Sequence, residues 1–275
     1  MVVMDSTLGG FLRARRAAVD PDAAGVHRDA RRRRVPGLRR EELAERAKVS
    51  VDYIVRIEQG RSRHVSPPVL NALADALMLT ADQRAYLHAL AAARETESEP
   101  VPGIPLGVRK LVSSLRNVPA LVLNRGMDVL LWNELAAAVV ADFDAMAPRQ
   151  RNLVRMAFLD SAYRAQFGDE WAEMAREGVA VLRMESGRHP GDAELIALIA
   201  ELRRTDEQFR RWWDAQAVSG AKVRRKTYHH PAAGPLRMET QLFAVEDRPG
   251  LSLVTYTALD EASEEALAKL SAGIR

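Results

Sequence analysis

Several arginines lie in and around a short amphipathic segment near the N-terminus, and their side chains are of the type that binds phosphate or guanine. Arg39 and Arg40 come at the start of "RREELAERAKVSVDYIVRIEQGRSR", Arg56 lies within it, and Arg61 and Arg63 end it. A guanidinium forms paired hydrogen bonds with phosphate oxygens or with O6 and N7 of guanine. The pattern therefore favours nucleic-acid binding, with some arginines on the backbone and others on bases.

Two predicted helices position these side chains. Leu43, Ala44 and Ala47 in the first helix, and Ile54 and Ile57 in the second, recur at spacings that give each helix one buried stripe. The connection is so short that the helices must cross at a steep angle. This spacing predicts a helical hairpin whose second helix has one free face.

The free face of the second helix carries the residues that would meet a duplex. Ser50 is placed to cap that helix through the amide of Asp52 or Tyr53. A helix this short can seat its N-terminal half in a major groove about 12 Å wide. The side chains that we expect to point outward are Val51, Asp52, Tyr53, Val55 and Arg56.

Charge is unevenly distributed along the chain. Between Arg28 and Arg63 there are twelve Lys and Arg residues against six Asp and Glu, whereas the formal net charge of all 275 residues is only +3. The asymmetry favours a polyanionic partner for the N-terminal part alone. On charge alone, a solvated basic face is the alternative.

Composition shifts divide the chain into two predicted domains. Residues 1–95 contain five helical patterns, and 96–106 form an acidic, then Pro- and Gly-rich linker. The predicted helices are Leu8 to Val19, Leu38 to Ala47, Val51 to Gln59, Pro67 to Leu79 and Ala81 to Arg94. Ser66 is expected to cap the fourth helix, and the stretch from Asp20 to Pro36 to form an extended or mobile connection.

Residues 107–275 have a mixed pattern. "VPALVLNRGMDVLLWN" has two apolar runs around a turn signature and predicts a β-hairpin. Near the C-terminus, "KVRRKTYHHP", "GPLRMETQLFAVE" and "LSLVTYTAL" are typical of strands. Helical patterns between and after them cover Glu134 to Phe143, Arg149 to Leu159, Asp169 to Ser186, Asp192 to Arg203, Asp206 to Ala215 and Glu261 to Leu270. An α+β domain is predicted.

The segment "LRREELAERAKVSVDYIVRIEQGRSRHVSPPVLNALADAL" resembles the helix-turn-helix of bacterial Xre/Cro/C1-type regulators, and more closely that of the MmyB-like branch. "PGLRREEL", "VSVDY" and "EQGR" carry the closer resemblance, which covers the chain from about Leu8 to Leu90. It implies a five-helix, lambda-repressor-like domain. It also implies that Ser50, Asp52, Tyr53 and Arg56 face DNA. The full predicted interface is Arg39, Arg40, Lys48, Ser50, Val51, Asp52, Tyr53, Arg56, Arg61 and Arg63.

Three positions of this interface leave alternatives open. The family usually has glycine where Lys48 stands, and a positive φ there would cost a lysine about 1 kcal/mol. Lys48 would also add a phosphate contact. Arg56 is suited to guanine, and Asp52 either accepts from cytosine N4 or favours the helix dipole. Glu58 is expected to be an internal ion-pair or hydrogen-bond partner.

The order of a hairpin, "WN", helices, "TYHHP", "LRMETQLF" and "LVTYT" also resembles the MmyB-like family. The resemblance implies a PAS-like domain with a small-molecule pocket, and an acyl-chain ligand for part of the family. Arg155 and Asn152 can hold a carboxylate, and the alternatives are that they cap a helix or pair with Asp160. The predicted ligand-binding residues are Trp132, Asn133, Asn152, Arg155, Met156, Leu159, Trp171 and His230, with a plain structural core as the alternative for the apolar ones.

Catalysis and metal binding find little support in the sequence. There are no cysteines, no phosphate-binding glycine loop and no HExxH motif. His229 and His230 are adjacent, so on a strand they point to opposite faces. We therefore predict no catalytic residues, no metal and no cofactor.

The prediction is a cytoplasmic homodimeric regulator that binds double-stranded DNA and a small apolar or acyl-chain ligand. No apolar run approaches the roughly 18 residues of a membrane span, and the first residues do not form a secretory signal. Two rival functions remain for the second domain. One is a dimerisation or protein-interaction module without a ligand, and the other is a small-molecule enzyme joined to a DNA-binding domain.

Overall fold

The computed structural model describes residues 8–26, 37–62, 64–92, 103–216 and 224–273. Arg63, most of the predicted connection before Pro36 and most of the predicted linker lie outside these ranges. None of the helices within the described ranges is both long and apolar enough to cross a bilayer.

Among the described residues, the N-terminal region contains helices and no strand, as predicted. Its buried side chains form one core that includes Phe11, Leu43, Ile54, Leu73 and Tyr86. The helices begin and end within three residues of the predicted limits. They are α1 (Leu8–Ala18), α2 (Arg40–Ala47), α3 (Val51–Glu58), α4 (Pro67–Ala76) and α5 (Ala81–Ala92).

The C-terminal region combines helices with one antiparallel sheet, so the α+β prediction is confirmed. The strands are β1 (Ala120–Leu123), β2 (Val129–Trp132), β3 (Arg224–His230), β4 (Gly234–Ala244) and β5 (Ser252–Ala258). The helices are α6 (Leu106–Ser114), α7 (Glu134–Val139), α8 (Leu153–Leu159), α9 (Ser161–Ala165), α10 (Trp171–Arg188), α11 (Ala193–Thr205), α12 (Glu207–Asp214) and α13 (Glu261–Gly273). Two short 3₁₀ turns, Pro148–Gln150 and Gly168–Glu170, precede α8 and α10.

The sheet has the strand order β2-β1-β5-β4-β3 with antiparallel pairing throughout. Leu121 pairs with Trp132 in the predicted hairpin, and Leu242 pairs with Val254 between β4 and β5. Helices α7 to α12 are inserted between β2 and β3. The first and last strands of the domain are neighbours in the middle of the sheet, where β1 pairs with β5.

Helix α6 was not predicted, because the Pro- and Gly-rich stretch before it was interpreted as a linker that runs to residue 106. Pro105 stands at the N-cap position, where its missing N–H costs nothing. Val112 is buried and Val108 and Leu115 pack beside it against Val122 and Leu253. Their spacing of four and three residues is the helical signal that the sequence contained.

The described residues form two compact units. The first contains 8–92 together with 183–192 and 211–216, and the second contains 103–182, 193–210 and 224–273. The last turns of α10 and α12 thus belong to the unit that holds the N-terminal helices. This grouping differs from a simple division at the linker.

Candidate nucleic-acid interface and ligand pocket

The turn between α2 and α3 depends on a left-handed residue. Lys48 has φ 53° and ψ 42°, so the positive φ considered for this position is present. The Lys48 N–H donates to the carbonyl of Glu45 (3.2 Å), and the Val49 N–H donates to that of Ala44 (3.0 Å). These bonds close the end of α2 and allow the chain to reverse within three residues.

Helix α3 begins at a cap and presents two different faces. The Ser50 hydroxyl accepts a hydrogen bond from the Tyr53 N–H (3.1 Å), which confirms the predicted cap. Ile54 and Ile57 are buried in the core. Asp52 and Arg56 are exposed and Val51 is 38 % exposed, whereas Tyr53 is half-buried and packs against the core. The N-terminal half of α3 is therefore accessible to a partner.

The last residue of α3 is a buried carboxylate with two guanidinium partners. Glu58 accepts hydrogen bonds from Nε of Arg16 and Nε of Arg40, each at 2.7 Å. Glu58 is thus the internal ion-pair partner that was predicted. Arg16 was missed by sequence reasoning, because it lies 42 residues away along the chain.

Part of the Arg40 guanidinium is bound within the protein and part is exposed to solvent. Its Nε is bound to Glu58, and 44 % of the side chain is exposed. A phosphate contact would therefore use its terminal nitrogens. Arg39 is half-buried at the N-cap of α2, and its backbone N–H donates to the Glu42 carboxylate at 2.6 Å.

The loop after α3 keeps one predicted cation at the surface. Gly60 has φ 71°, a conformation suited to glycine, and the exposed Arg61 donates its N–H to the carbonyl of Arg56 (2.8 Å). The predicted Ser66 cap is wrong in one respect, because the Ser66 side chain makes no capping hydrogen bond. Prolines at the first two positions of α4 also lack an N–H, so this helix start offers few amides to a phosphate.

A pocket of about 460 Å³ lies in the second unit. Its wall is formed largely by small apolar residues in and after α7, and three of its lining residues have polar side chains. The lining residues are Ala137, Ala138, Val139, Val140, Ala141, Asp142, Gln166, His230 and Pro231. A concave wall of alanines and valines with few polar groups suits a small, largely apolar molecule.

Two polar side chains of the pocket are fixed by the backbone. His230 Nε2 lies 2.9 Å from the carbonyl of Ala138, and Nδ1 accepts from the N–H groups of Ala232 and Ala233 (3.2 and 3.0 Å). The proton of the neutral ring therefore belongs on Nε2. Gln166 Nε2 donates to the carbonyl of Val140 at 3.2 Å. Gln166 was not predicted from the sequence.

Of the eight residues that were predicted to bind a ligand, all within the described ranges, only His230 lines this pocket. Asn133 caps α7 by accepting from the Ala136 N–H (2.8 Å), and its amide donates to the carbonyls of Leu115 and Val118. Asn152 is fully buried and caps α8. Both asparagines therefore have structural hydrogen bonds that occupy their amide groups.

Arg155 lies in a network of internal bonds. One terminal nitrogen donates to Glu201 at 2.6 Å, and the other donates to the carbonyl of Arg149. Asp160, the alternative partner, instead caps α9 by accepting from the N–H groups of Ala162 and Tyr163. The structure thus gives Arg155 a carboxylate partner from within the protein.

The four predicted apolar residues have different environments. Met156 is buried, and Trp171 is buried with its indole N–H donating to the carbonyl of Ala157 (2.7 Å). The Trp132 ring lies 5.3 Å from that of Phe143, between centroids. Leu159 is 45 % exposed. For Met156 and Trp171 the structure agrees with the alternative of an ordinary core.

Three buried tyrosines lie in the second unit. Burial raises the pKa of the Tyr256 phenol to about 12, and burial likewise raises the pKa values of Tyr163 and Tyr228. The Tyr228 and Tyr256 rings are 5.8 Å apart and nearly perpendicular. Within the described ranges, no group of three or more His, Asp or Glu residues is arranged to hold a metal ion.

Comparison with known families assigns both regions. Residues 7–87 match the family described as a helix-turn-helix domain. Residues 104–270 match the family described as an MmyB-like transcription regulator ligand binding domain. No curated protein matches the sequence. Since the second match covers more than half of the chain and agrees with the resemblance in the sequence, the chain belongs to the MmyB-like transcription regulators.

Proposed function

We propose that this protein recognises specific operator sequences through the exposed N-terminal half of α3. The supporting observation is that Val51, Asp52 and Arg56 are accessible on a helix whose other face is buried in the core. Arg56 would donate to guanine O6 and N7, and Asp52 would accept from cytosine or orient a neighbouring arginine.

Exposed cations on both sides of α3 would hold the phosphate backbone. Lys48 lies in the turn before the helix and Arg61 in the loop after it, and both are exposed. The free part of the Arg40 guanidinium and the Arg39 side chain would add contacts on the α2 side. Such contacts set affinity and register, whereas the α3 side chains set sequence choice.

A homodimer would give this interface its operator geometry. Two copies of α3 in successive major grooves lie about 34 Å apart, which corresponds to one turn of the duplex. We infer two-fold symmetric half-sites for this reason. Because a DNA-binding regulator acts where the chromosome is, we also propose the cytoplasm as its compartment.

The pocket beside α7 would receive the regulatory ligand. Its alanine and valine wall favours a small apolar or acyl-chain molecule, and His230 and Gln166 supply its polar edge. Arg155 is bound to Glu201, so the pocket's own polar groups would orient the ligand. If the ligand and DNA differ in their preference between two arrangements of the protein, the ligand changes DNA affinity by the same factor by which DNA changes ligand affinity.

Selection from a pool of random-sequence duplexes tests the DNA-binding proposal. The full chain is expected to enrich two half-sites with centres 10 to 11 base pairs apart, on the order of one helical turn. The matched control carries Val51→Ala, Asp52→Ala and Arg56→Ala together, which leaves the core unchanged and should enrich nothing. A wild-type pool without an enriched sequence would contradict sequence-specific binding.

Native mass spectrometry of freshly purified protein tests the ligand proposal. An additional mass of a few hundred daltons that is lost on denaturation would support it. Ala138→Leu fills the alanine-lined wall and should abolish that mass, whereas Ala233→Leu, outside the pocket lining, should retain it. A clean apo mass in the wild type would favour the dimerisation-module alternative.

A further inference from the structure

The core of the N-terminal helices is completed by residues that the helix-turn-helix match does not cover. Met184, in α10, is buried in the same cluster as Phe11 and Leu12. Gly187 lies so close to Tyr86 that a methyl group on it would be 2.1 Å from Cε2 of the ring. The Tyr86 ring in turn meets Phe11 edge-on at 5.0 Å between centroids. The end of α10 is therefore an integral part of this unit.

A buried arginine holds this part of the unit together. Arg183 is fully buried, and one of its terminal nitrogens donates to Oε1 of Gln216 at 2.6 Å. The other terminal nitrogen donates to the carbonyl of Trp213, and the guanidinium carbon lies 4.0 Å from the centroid of the Trp213 ring. The desolvated guanidinium thus has two neutral acceptors and an aromatic face, and it also interacts with the Tyr86 side chain and the Asp214 carboxylate.

Arg183 fixes a turn that is unfavourable without it. Gln216 is buried and has φ 56°, a left-handed conformation that a residue with a side chain rarely adopts. Such a conformation persists where the surrounding bonds determine it. The bond from Arg183 to the Gln216 side chain therefore sets the course of the chain at residues 213–216.

The turn at residues 213–216 contacts α1, and α1 contacts α3. A terminal nitrogen of Arg15 donates to the carbonyl of Ala215 at 2.6 Å. The next residue, Arg16, binds Glu58 at the end of α3. On the same helix, a methyl group on Gly9 would lie 2.5 Å from the carbonyl oxygen of Glu58. Helix α1 consequently contacts both the 213–216 turn and the last turn of α3.

We propose that Arg183 is a positioning residue for DNA recognition, acting through the turn at Ala215 and through α1 on α3. Arg183 contacts Gln216 and Trp213, Arg15 carries the constraint to α1, and Arg16 with Gly9 carries it to Glu58. Arg183 lies within residues 104–270, the ligand-binding match. The inference rests on the proposed sequence-specific binding.

The energetics of burial separate positioning from simple stabilisation. Removing the Arg183 donors takes these hydrogen bonds from the buried Gln216 side chain and the Trp213 carbonyl, and the loss of each bond destabilises the folded protein. DNA affinities are therefore compared under conditions in which the wild type and the variant are both folded. Arg183→Met retains the length of the side chain and removes its donors. A change in sequence discrimination without loss of folding is therefore the signature of positioning.

Fluorescence anisotropy with two labelled duplexes tests the proposal in the full chain. One duplex carries the sequence that the wild type enriches, and the other carries the same bases scrambled. We expect Arg183→Met to lower the ratio of the two affinities about tenfold, while affinity for the scrambled duplex and its salt dependence stay near wild type. Arg188→Met is the matched control, because Arg188 is exposed on the same helix. It should keep the wild-type ratio.

Amide hydrogen exchange of the free protein gives an independent readout. In Arg183→Met, exchange in residues 8–18 and 51–58 should become faster, and in Arg188→Met it should not. A folded Arg183→Met protein with the wild-type affinity ratio and unchanged exchange would overturn the proposal. If Arg183→Met does not fold, Arg15→Met decides by the same ratio. A wild type that fails to discriminate contradicts the proposed function, and hydrogen exchange then still decides the positioning role.

Discussion

The starts of α3 and α8 resemble each other in sequence but use their polar side chains in opposite ways. Each helix is capped by a polar residue, Ser50 or Asn152, and each has an arginine in its first two turns. On α3 the cap makes one bond and Arg56 is exposed. On α8 the Asn152 amide bonds three groups, and Arg155 binds Glu201. The first set is available to a partner, whereas the second holds the domain together.

The difference shows what turns a polar residue into a recognition residue. A side chain whose hydrogen bonds are satisfied inside the protein must break them before it binds a ligand, and each buried group left without a partner costs about 1–3 kcal/mol. An exposed side chain exchanges only water. The comparison predicts that substitutions at α3 change binding, and that those at α8 and the tyrosine cluster change stability.

The largest expected effect is alkaline unfolding of the second unit. Between pH 10 and 12 the tyrosines of the unfolded chain lose their protons. In the folded protein the pKa of Tyr256 is raised to about 12 and the pKa values of Tyr163 and Tyr228 are also raised, so these three tyrosines keep their protons. The contribution of these tyrosines to the free energy of unfolding is therefore fully present below pH 10. It falls as the pH rises, by up to about 1.4 kcal/mol per pH unit for each tyrosine. Urea unfolding with tyrosinate absorbance measures this slope.

Tyr256→Phe provides the matched variant for the alkaline experiment. It removes one of the three ionisable groups and should reduce the slope by about one third. Tyr163→Phe removes another buried tyrosine of the same unit and should reduce the slope by a similar amount. An unchanged slope in both variants would contradict the assigned cause.

Asn152→Ala should show the next largest effect. It leaves the buried carbonyl of Gly126 without its donor (2.7 Å) and removes the cap from the Arg155 N–H (2.9 Å). We expect a loss of about 3 kcal/mol in the free energy of unfolding, measured with denaturant. Asp52→Ala at α3 should lose about 0.5 kcal/mol, as expected for an exposed acid near a helix start. A similar loss for the two variants would remove the contrast between the helices.

Arg56→Ala and Arg61→Ala should separate base reading from backbone binding. Arg56→Ala is expected to reduce discrimination between the enriched and scrambled duplexes by about 2 kcal/mol. Arg61→Ala should weaken both duplexes alike and lower the salt slope by about one. Anisotropy titrations at several salt concentrations measure both effects. Equal losses on both duplexes for both variants would show that the assignment of roles is wrong.

Lys48→Gly is expected to have the smallest effect, and it should raise stability while it lowers DNA affinity. Glycine tolerates the φ of 53° and should stabilise the first unit by about 1 kcal/mol. Loss of the cation should weaken binding to every duplex. Lys48→Gln separates the two, since it removes the charge and retains the strain. Lys48→Gly and Lys48→Gln proteins of equal stability would contradict the role of backbone strain.

Local patterns predicted α3 well, because its cap, buried stripe and free face all lie within nine residues. The internal role of Glu58 was also predictable, although its partner Arg16 was not. Long-range pairs explain the other omissions. Arg155 meets Glu201 46 residues away, and Arg183 meets Gln216 33 residues away, so no spacing rule connects them. The pocket residue Gln166 is likewise brought to α7 only by the fold.

Helix α6 shows a different kind of omission. Its signal was local, since Val108, Val112 and Leu115 follow a helical spacing directly after Pro105. The proline was interpreted as part of an unstructured linker, although a proline also commonly marks the start of a helix. The asparagines at α7 and α8 show the converse. Both were predicted to bind a ligand, with a helix cap as the alternative for Asn152, and both cap helices in the structure.

Helix α3 is held in the core through Ile54, Ile57 and Glu58, so the residues proposed to read DNA are not needed for its packing. Val51, Asp52 and Arg56 lie outside the buried stripe, and substitutions at these three positions would change the proposed sequence preference without changing the core. The final turn has no such freedom, since a methyl group on Gly9 would meet the carbonyl oxygen of Glu58 at 2.5 Å. New specificities should therefore arise by substitution in the first two turns of α3.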